Sequence, residues 1–92
     1  MIAAQVSLGE ILAIARELRG MTLRDLEAEC GVSNALISQI ETGKVKDPGF
    51  STVVRIAHAL GLSVERCAKS YIQSIERRKD VLRKHLQQEQ PK

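Results

Sequence analysis

Two short segments with helical apolar spacing, separated by only Gly31, Val32 and Ser33, constrain the fold of this 92-residue chain more than any other feature. Serine is a residue type that accepts a hydrogen bond from the free backbone N–H groups at a helix start. Glycine is expected at such a junction because the turn needs a backbone conformation that is costly for other residues. The pattern therefore predicts two short helices that meet at a tight turn.

Signals for further helices recur on either side of this turn. Ser7 and Glu10 have the spacing of a capping box, and they predict a first helix over about residues 8–19. The loop-forming residues 47–49 precede a fourth helix that ends at Gly61, and a fifth follows at once. The chain therefore predicts five helices and no strand.

The core must be built almost entirely from aliphatic side chains, because only 2% of the residues are aromatic. Phe50 and Tyr71 are the large rings available to it, and Leu18 is expected on the apolar face of the first helix. Cys30 and Cys67 have no Cys or His at metal-ligand spacing, so both are expected to be reduced core residues. An aliphatic core without strands predicts an all-α domain.

Net charge alone does not identify a partner for this chain. The net charge is +3, but residues 1–63 contain six Lys or Arg against seven Asp or Glu, whereas residues 64–92 contain eight against four. No apolar run approaches the roughly 18 residues that span a bilayer, and the first residues lack the regions of a signal peptide. A cytoplasmic protein without membrane contact is expected.

The sequence offers no set of residues suited to catalysis. No Ser, Cys or Asp has a recognisable base partner, and no glycine-rich phosphate loop follows a strand. His58 is expected to be a half-exposed structural residue, and His85 lies in a charged stretch where solvent exposure is expected. These observations predict a protein with no enzymatic activity, no metal and no cofactor.

Two short helices joined by a three-residue turn form the arrangement in which the second helix is presented to the major groove of DNA. The run from Met21 to Lys44 resembles the helix-turn-helix family of phage repressor and Cro proteins and the wider xenobiotic-response-element regulators. The resemblance covers about residues 8–68 and implies a five-helix, lambda-repressor-like domain that binds double-stranded DNA. Its most specific elements are Gly31-Val-Ser33, Ile37-Ser38, Glu41-x-Gly43 and Ala59-Leu-Gly61.

The resemblance places four residues of the third helix against base edges, namely Ser33, Asn34, Ala35 and Gln39. Asn and Gln each carry a donor and an acceptor on one planar amide, which matches N6 and N7 of adenine, and the methyl of Ala35 can contact a thymine methyl. The alternative is that these amides are only solvated, since exposed amides are common on helices. Base contact is the expectation because they follow directly on the capped turn.

The resemblance also implies contacts to the DNA backbone from Thr22, Thr42, Lys44 and Lys46. Helix starts offer free N–H groups to phosphate, and lysines add salt-sensitive attraction. The family often has a polar residue at the position of Leu23 and a basic one near Gly49, so a lighter hold on the phosphates is expected here.

Arg16 and Glu41 match a pair that in some relatives forms a buried ion pair between the first helix and the end of the third. A buried pair would orient the groove-facing helix from behind. The alternative is an exposed pair that contributes at most about 1 kcal/mol. The buried pair is the expectation.

The end of the chain predicts a long helix beyond the family domain, because residues 63–90 contain neither Gly nor Pro. We expect a domain of residues 7–68 and an extension of residues 69–92 through which two subunits pair. The alternatives are that the extension packs on its own domain or frays. The pairing residues, spaced alternately three and four apart around Lys79, are Ile72, Ile75, Leu82 and Leu86. The basic residues expected to be solvated rather than bound to phosphate are Arg77, Arg78, Lys79, Arg83 and Lys84.

These expectations together predict a transcriptional repressor that binds a palindromic operator as a homodimer. An antitoxin or a restriction-system controller of the same fold is the nearest alternative, and the C-terminal helix would then contact a protein partner. A module that binds only proteins is the alternative from a different class. It predicts no salt-sensitive, sequence-selective binding of duplex DNA.

Overall fold

The protein folds into five α-helices, and no strand forms within residues 6–89, the part of the chain that the structure describes. The structure is a computed structural model of the chain. The helices are α1 Leu8–Leu18, α2 Leu23–Cys30, α3 Asn34–Glu41, α4 Phe50–Leu60 and α5 Val64–Glu89. The all-α, five-helix fold with an extended last helix is thus confirmed.

Local hydrogen bonds define where the first two helices begin. The Ser7 hydroxyl accepts a hydrogen bond from the Glu10 backbone N–H at 3.2 Å, and the Glu10 carboxylate accepts one from the Ser7 N–H at 2.8 Å. Thr22 and Asp25 form the same reciprocal pair at the start of α2, at 3.0 and 2.9 Å. The bonds from the Ser7 backbone and side chain lower the pKa of Glu10, and those from Thr22 lower the pKa of Asp25. Both carboxylates are therefore ionised at neutral pH and satisfy N–H groups at the helix starts.

One aliphatic core lies among α1 to α4 and the beginning of α5. Helix α1 contacts α3, α4 and α5, and α2 contacts α3 and α4. Burying an aliphatic side chain of the size of Leu or Ile stabilises a fold by roughly 1.5–3 kcal/mol, so this core accounts for the domain without large rings. The buried hydrophobic residues are Leu8, Leu12, Leu26, Val32, Ile37, Ile40, Ile56, Ala57, Leu60 and Cys67.

Two residues expected in the core lie at the surface instead. Leu18 is 83% exposed and Phe50 is 75% exposed. Successive helical residues are rotated by about 100°, which puts Leu18 about 100° away from the mean direction of Leu8 and Leu12. Phe50 is the first residue of α4, and because helical side chains tilt toward the helix N terminus, its ring projects beyond the packed part of the helix. Of the two rings, only that of Tyr71 packs against the core.

The backbones of α1 and α3 come into contact at Gly9. A Cβ atom at this position would overlap the carbonyl oxygen of Ile40 and lie 3.1 Å from that of Glu41. The glycine is needed here for space, because it allows the two helices to approach more closely than any side chain would permit. The position of α3 on the domain therefore depends on the absence of a side chain at residue 9.

Helix α5 belongs to the core only over its first half. Cys67 and Ser70 are buried and residues 71, 74 and 75 are half-buried, whereas every residue from 76 to 87 is exposed. The helix nevertheless continues without interruption for 26 residues. The molecule is therefore elongated, with a longest dimension of 57 Å against 26 and 19 Å in the other two.

Candidate nucleic-acid interface

The junction between α2 and α3 is a tight turn held by local interactions. Gly31 ends α2 in the left-handed conformation, with φ of 76°. Val32 is buried, and its N–H donates to the Cys30 sulfur at 3.4 Å. Ser33 starts α3, where its hydroxyl accepts a hydrogen bond from the Leu36 N–H at 3.2 Å. The turn therefore fixes the start of α3 relative to α2.

One face of α3 is held in the core and the other is presented outward. Ile37 and Ile40 are buried. Ala35 and Gln39 are exposed, and Ser38 is half-buried. A packed face thus holds a row of small and amide side chains at the surface, a composition that suits contact with base edges in a major groove.

The four residues predicted to contact bases lie in two environments. Ser33, Ala35 and Gln39 are exposed, whereas Asn34 is half-buried. The Asn34 side-chain nitrogen donates a hydrogen bond to the Glu27 carboxylate of α2 at 2.7 Å. The amide of Asn34 is therefore tied to the neighbouring helix, while that of Gln39 projects from the surface.

A largely buried ion pair lies behind α3. The Arg16 guanidinium of α1 donates to both carboxylate oxygens of Glu41, from Nε at 2.7 Å and from Nη2 at 3.0 Å. The two side chains are 14% and 10% exposed. The hydrogen bond to Glu41 raises the pKa of Arg16 above its ordinary value, so the guanidinium stays charged. This bidentate geometry is the strong form of an arginine–carboxylate contact, and it ties the end of α3 to α1.

The same guanidinium also links the two ends of the α2–α3 pair. The Nη1 atom of Arg16 donates to the Met21 carbonyl at 2.7 Å, next to Thr22 at the start of α2. Glu41 in turn immediately precedes Thr42 at the end of α3. Arg16 therefore holds the backbone beside both threonines that the sequence predicts as phosphate contacts.

The residues predicted to contact phosphate are all exposed, but the two threonines already make internal hydrogen bonds. The Thr22 hydroxyl accepts a backbone hydrogen bond at 3.0 Å, which leaves its own O–H available as a donor. The Thr42 hydroxyl donates to the Ser38 carbonyl at 3.0 Å, so its O–H is occupied. Lys44 and Lys46 lie in the loop after α3. Thr22 and the two lysines are thus better placed than Thr42 to donate to a phosphate oxygen.

The residues predicted to pair two subunits lie along one side of α5, two on the half that packs against the core and two on the exposed half. Ile72, Leu82 and Leu86 are 54%, 56% and 53% exposed, and Ile75 is half-buried. Of these four residues, only Leu82 lines an open apolar groove of about 640 Å³ that lies between α5, the start of α1 and the loop after α3. Within the described residues, α5 therefore leaves apolar surface uncovered. The apolar side chains that line the groove include Leu8, Val45, Tyr71 and Val81.

Two side-chain hydrogen bonds between different parts of the fold were missed by sequence analysis. One is the hydrogen bond between Asn34 and Glu27, which depends on how α2 is turned toward α3. The other is the bond at 2.7 Å from Nε of Arg19 to the Leu60 carbonyl at the end of α4, between residues 41 positions apart. A cationic side chain at a helix C terminus is a general signal for capping, but no local pattern joins residues so distant in sequence.

Neither a metal-binding cluster nor a membrane-spanning helix is found among the described residues. Within residues 6–89, no group of three His, Cys, Asp or Glu side chains is placed to hold a metal ion. No helix in the same range is long and apolar enough to cross a membrane.

The two cysteines differ in burial. Cys67 is buried and Cys30 is half-buried, and both are free thiols. Burial raises the pKa of the Cys67 thiol, which keeps this thiol protonated at neutral pH.

Comparison with known proteins shows similarity to bacterial regulators. An uncharacterized HTH-type transcriptional regulator of Sinorhizobium fredii, y4dL, is 38% identical over 64 residues, which are 70% of this chain and 32% of that protein. The HTH-type transcriptional repressor RghR of Bacillus subtilis is 42% identical over 59 residues, which are 64% of this chain and 44% of that protein. The chain thus spans less than half the length of either relative.

A family model described as helix-turn-helix matches residues 12–67 of this chain. The match runs from α1 to the beginning of α5, so it contains the whole core and the α2–α3 pair with its turn. It covers well over half of the chain. The chain therefore belongs to the helix-turn-helix family of phage repressor and Cro-like proteins.

Proposed function

We propose that this protein is a sequence-specific DNA-binding transcriptional regulator that represses by occupying a palindromic operator as a homodimer. The observation that carries the proposal is the row of side chains on α3 formed by Asn34, Ala35 and Gln39, backed by the buried Ile37 and Ile40. One relative is named as a transcriptional regulator and the other as a transcriptional repressor, and this supports a regulatory role here. The proposed activity is binding alone, without a chemical step.

In the proposed complex, α3 lies in the major groove with its first turns against base edges. The Gln39 amide is suited to a bidentate contact with adenine, and the Ala35 methyl to a thymine methyl. Ser33 can donate its O–H to a base acceptor while its oxygen accepts from the helix. A good bidentate contact discriminates between bases by about 1–3 kcal/mol, so contacts repeated in two subunits are enough to select an operator.

The residues around the ends of α2 and α3 are proposed to hold the DNA backbone. Thr22 offers an O–H beside the N-terminal end of α2, where the helix dipole favours an anion. Lys44 and Lys46 add two exposed positive charges after α3. Such contacts fix the register of α3 in the groove and do not select sequence.

We place the pairing of two subunits on α5. The exposed apolar residues Ile72, Leu82 and Leu86 are spaced so that they fall on one side of the helix, with Lys79 among them. Leu82 and Leu86 lie on the part of α5 that extends beyond the core, and the side chain of Ile72 is exposed on the part that packs against the core, so a second copy has access to all three. Paired α5 helices would set the distance between two α3 helices, and two half-sites supply affinity that one small domain seldom reaches.

Charging the apolar side of α5 is the test of this pairing. Combining Leu82→Lys with Leu86→Lys is expected to turn a dimer into a monomer, because like charges replace apolar contacts along the paired helices. Sedimentation equilibrium over a range of concentrations measures the mass. Gln73→Lys, which adds one positive charge at an exposed α5 residue outside this spacing, is expected to leave the dimer intact. A wild-type mass of one chain throughout, or a dimer in the double variant, would contradict the proposal.

Selection of duplex DNA from a random pool tests the proposed function as a whole. Wild type is expected to enrich a two-fold symmetric site, and the Asn34→Ala, Gln39→Ala double variant is expected to lose that enrichment at the same salt concentration. Gln73→Ala removes an exposed amide outside α3 and is expected to enrich the wild-type site. If no duplex is enriched, or if the double variant enriches the same site, α3 does not read bases, and a protein partner becomes the favoured ligand.

A further inference from the structure

The hydrogen bond between α2 and the first residue of α3 bears on which base the protein selects. We propose that Glu27 is a positioning residue that fixes the amide of Asn34 so that Asn34 selects adenine over guanine. The inference rests on the function proposed above and adds a determinant of specificity to it. Asn34 and Glu27 are both half-buried, so water competes only weakly for the bond between them.

An isolated asparagine amide presents its oxygen or its nitrogen to a ligand with similar ease, because the two ends have nearly the same shape. Here the side-chain nitrogen of Asn34 donates to Oε1 of Glu27 at 2.7 Å. Turning the amide over would place its oxygen against the carboxylate oxygen, which is repulsive and forfeits a charge-assisted hydrogen bond. Glu27 therefore holds the amide in one of its two orientations.

The fixed orientation has a consequence for base recognition. The side-chain nitrogen of Asn34 carries two N–H groups, so one of them and the amide oxygen remain for a base edge. Adenine offers the acceptor N7 and the donor N6 in the major groove, which match this pair. Guanine offers the acceptors N7 and O6, and O6 would meet the amide oxygen of Asn34 and the nearby negative charge of Glu27. The arrangement thus favours adenine and disfavours guanine.

Glu27→Gln tests the role because it keeps the side-chain shape and removes the charge. A glutamine can donate or accept, so the Asn34 amide is free to turn over. The base pair that Asn34 contacts is identified first, as the operator position at which the wild-type base preference is lost in Asn34→Ala. At that position the preference for adenine over guanine is expected to fall by about tenfold in Glu27→Gln, which lies within the range for one bidentate contact. Sequencing of duplexes selected at fixed salt gives the ratio.

Two further variants separate positioning from stability and from charge. Glu29→Gln removes the same charge from an exposed residue of α2 and is expected to leave the base preference unchanged. In the Asn34→Ala background, Glu27→Gln is expected to change nothing further at this base pair. Thermal unfolding of Glu27→Gln should stay within a few degrees of wild type, since glutamine keeps the side-chain shape and can still form a hydrogen bond with Asn34.

The outcomes distinguish failure of this inference from failure of the proposed function. If wild type enriches a site and Glu27→Gln keeps the full preference at the position read by Asn34, Glu27 has no positioning role. Equal relaxation of preference at every position would also overturn the inference, because it indicates a general distortion of α3. If wild type enriches no site at all, it is the proposed function that fails.

Discussion

Replacing Glu41 by leucine is expected to lower the free energy of unfolding by about 3 kcal/mol, because it leaves the guanidinium of Arg16 largely buried without its carboxylate. For a domain of this size the midpoint of thermal unfolding should then fall by roughly 15 °C. Arg16 donates two hydrogen bonds to Glu41, and in the variant it keeps the hydrogen bond to the Met21 carbonyl and a long ion pair of 4.0 Å with the exposed Glu17. Thermal and urea unfolding followed by circular dichroism measure the loss.

The chain offers a matched control for the effect of burial. Arg83 and Asp80 form a pair at 2.8 Å with side chains that are 62% and 60% exposed. Asp80→Leu is expected to change stability by no more than about 0.5 kcal/mol, because water screens an exposed pair. The double variant Arg16→Met, Glu41→Leu is expected to recover part of the loss. An equally small effect of Glu41→Leu and Asp80→Leu would show that the buried pair does not anchor α3.

Gly9→Ala is expected to destabilise the fold by about 2 kcal/mol, although alanine is the better helix former. The added methyl group would overlap the carbonyl oxygen of Ile40, and a backbone atom cannot move aside as a flexible side chain can. Helix α3 must then shift away from α1, which opens the packing around Ile37 and Ile40. Unfolding in urea at several temperatures measures the change in free energy.

Gly49→Ser is the control for adding a side chain at a glycine. A Cβ atom there meets nothing within 4 Å, and the residue caps the start of α4 without a side-chain hydrogen bond. Serine is a better residue for this position, so a neutral or slightly stabilising effect is expected. Should Gly9→Ala be as stable as wild type, the close approach of α1 and α3 would not be required for the fold.

The helix boundaries were predictable because the signals for them are local. Ser7 and Glu10, or Thr22 and Asp25, are three residues apart, and the hydrogen bonds between them depend only on the backbone of one turn. The left-handed Gly31 acts at a similarly short range. Such signals can be recognised without knowledge of how the helices pack.

The one contact between helices that was predicted correctly, the ion pair of Arg16 with Glu41, came from the family resemblance and not from a local pattern. Leu18 has helical spacing from its apolar neighbours, yet it points about 100° away from the mean direction of Leu8 and Leu12, and its side chain faces water. The bond from Glu27 to Asn34 requires the rotation of α2 about its own axis, which apolar spacing fixes only coarsely. The need for glycine at position 9 depends on the distance between two helices, and no pattern in α1 alone reports that distance.

Because α5 is one continuous helix, the number of residues in it determines the direction in which its distal apolar side chains face. Because one unbroken helix joins the buried Cys67 to the exposed Leu86, the distal side chains have a fixed angular phase relative to the domain. Inserting one residue between them would rotate the distal end by about 100° and extend it by about 1.5 Å, so its apolar side would face a new direction. Inserting seven residues nearly restores the direction and adds about 10 Å. In the proposed dimer, insertions in α5 would therefore keep its apolar side in phase only in steps of about seven residues, each of which lengthens the helix by about the rise of three base pairs of DNA at 3.4 Å per pair.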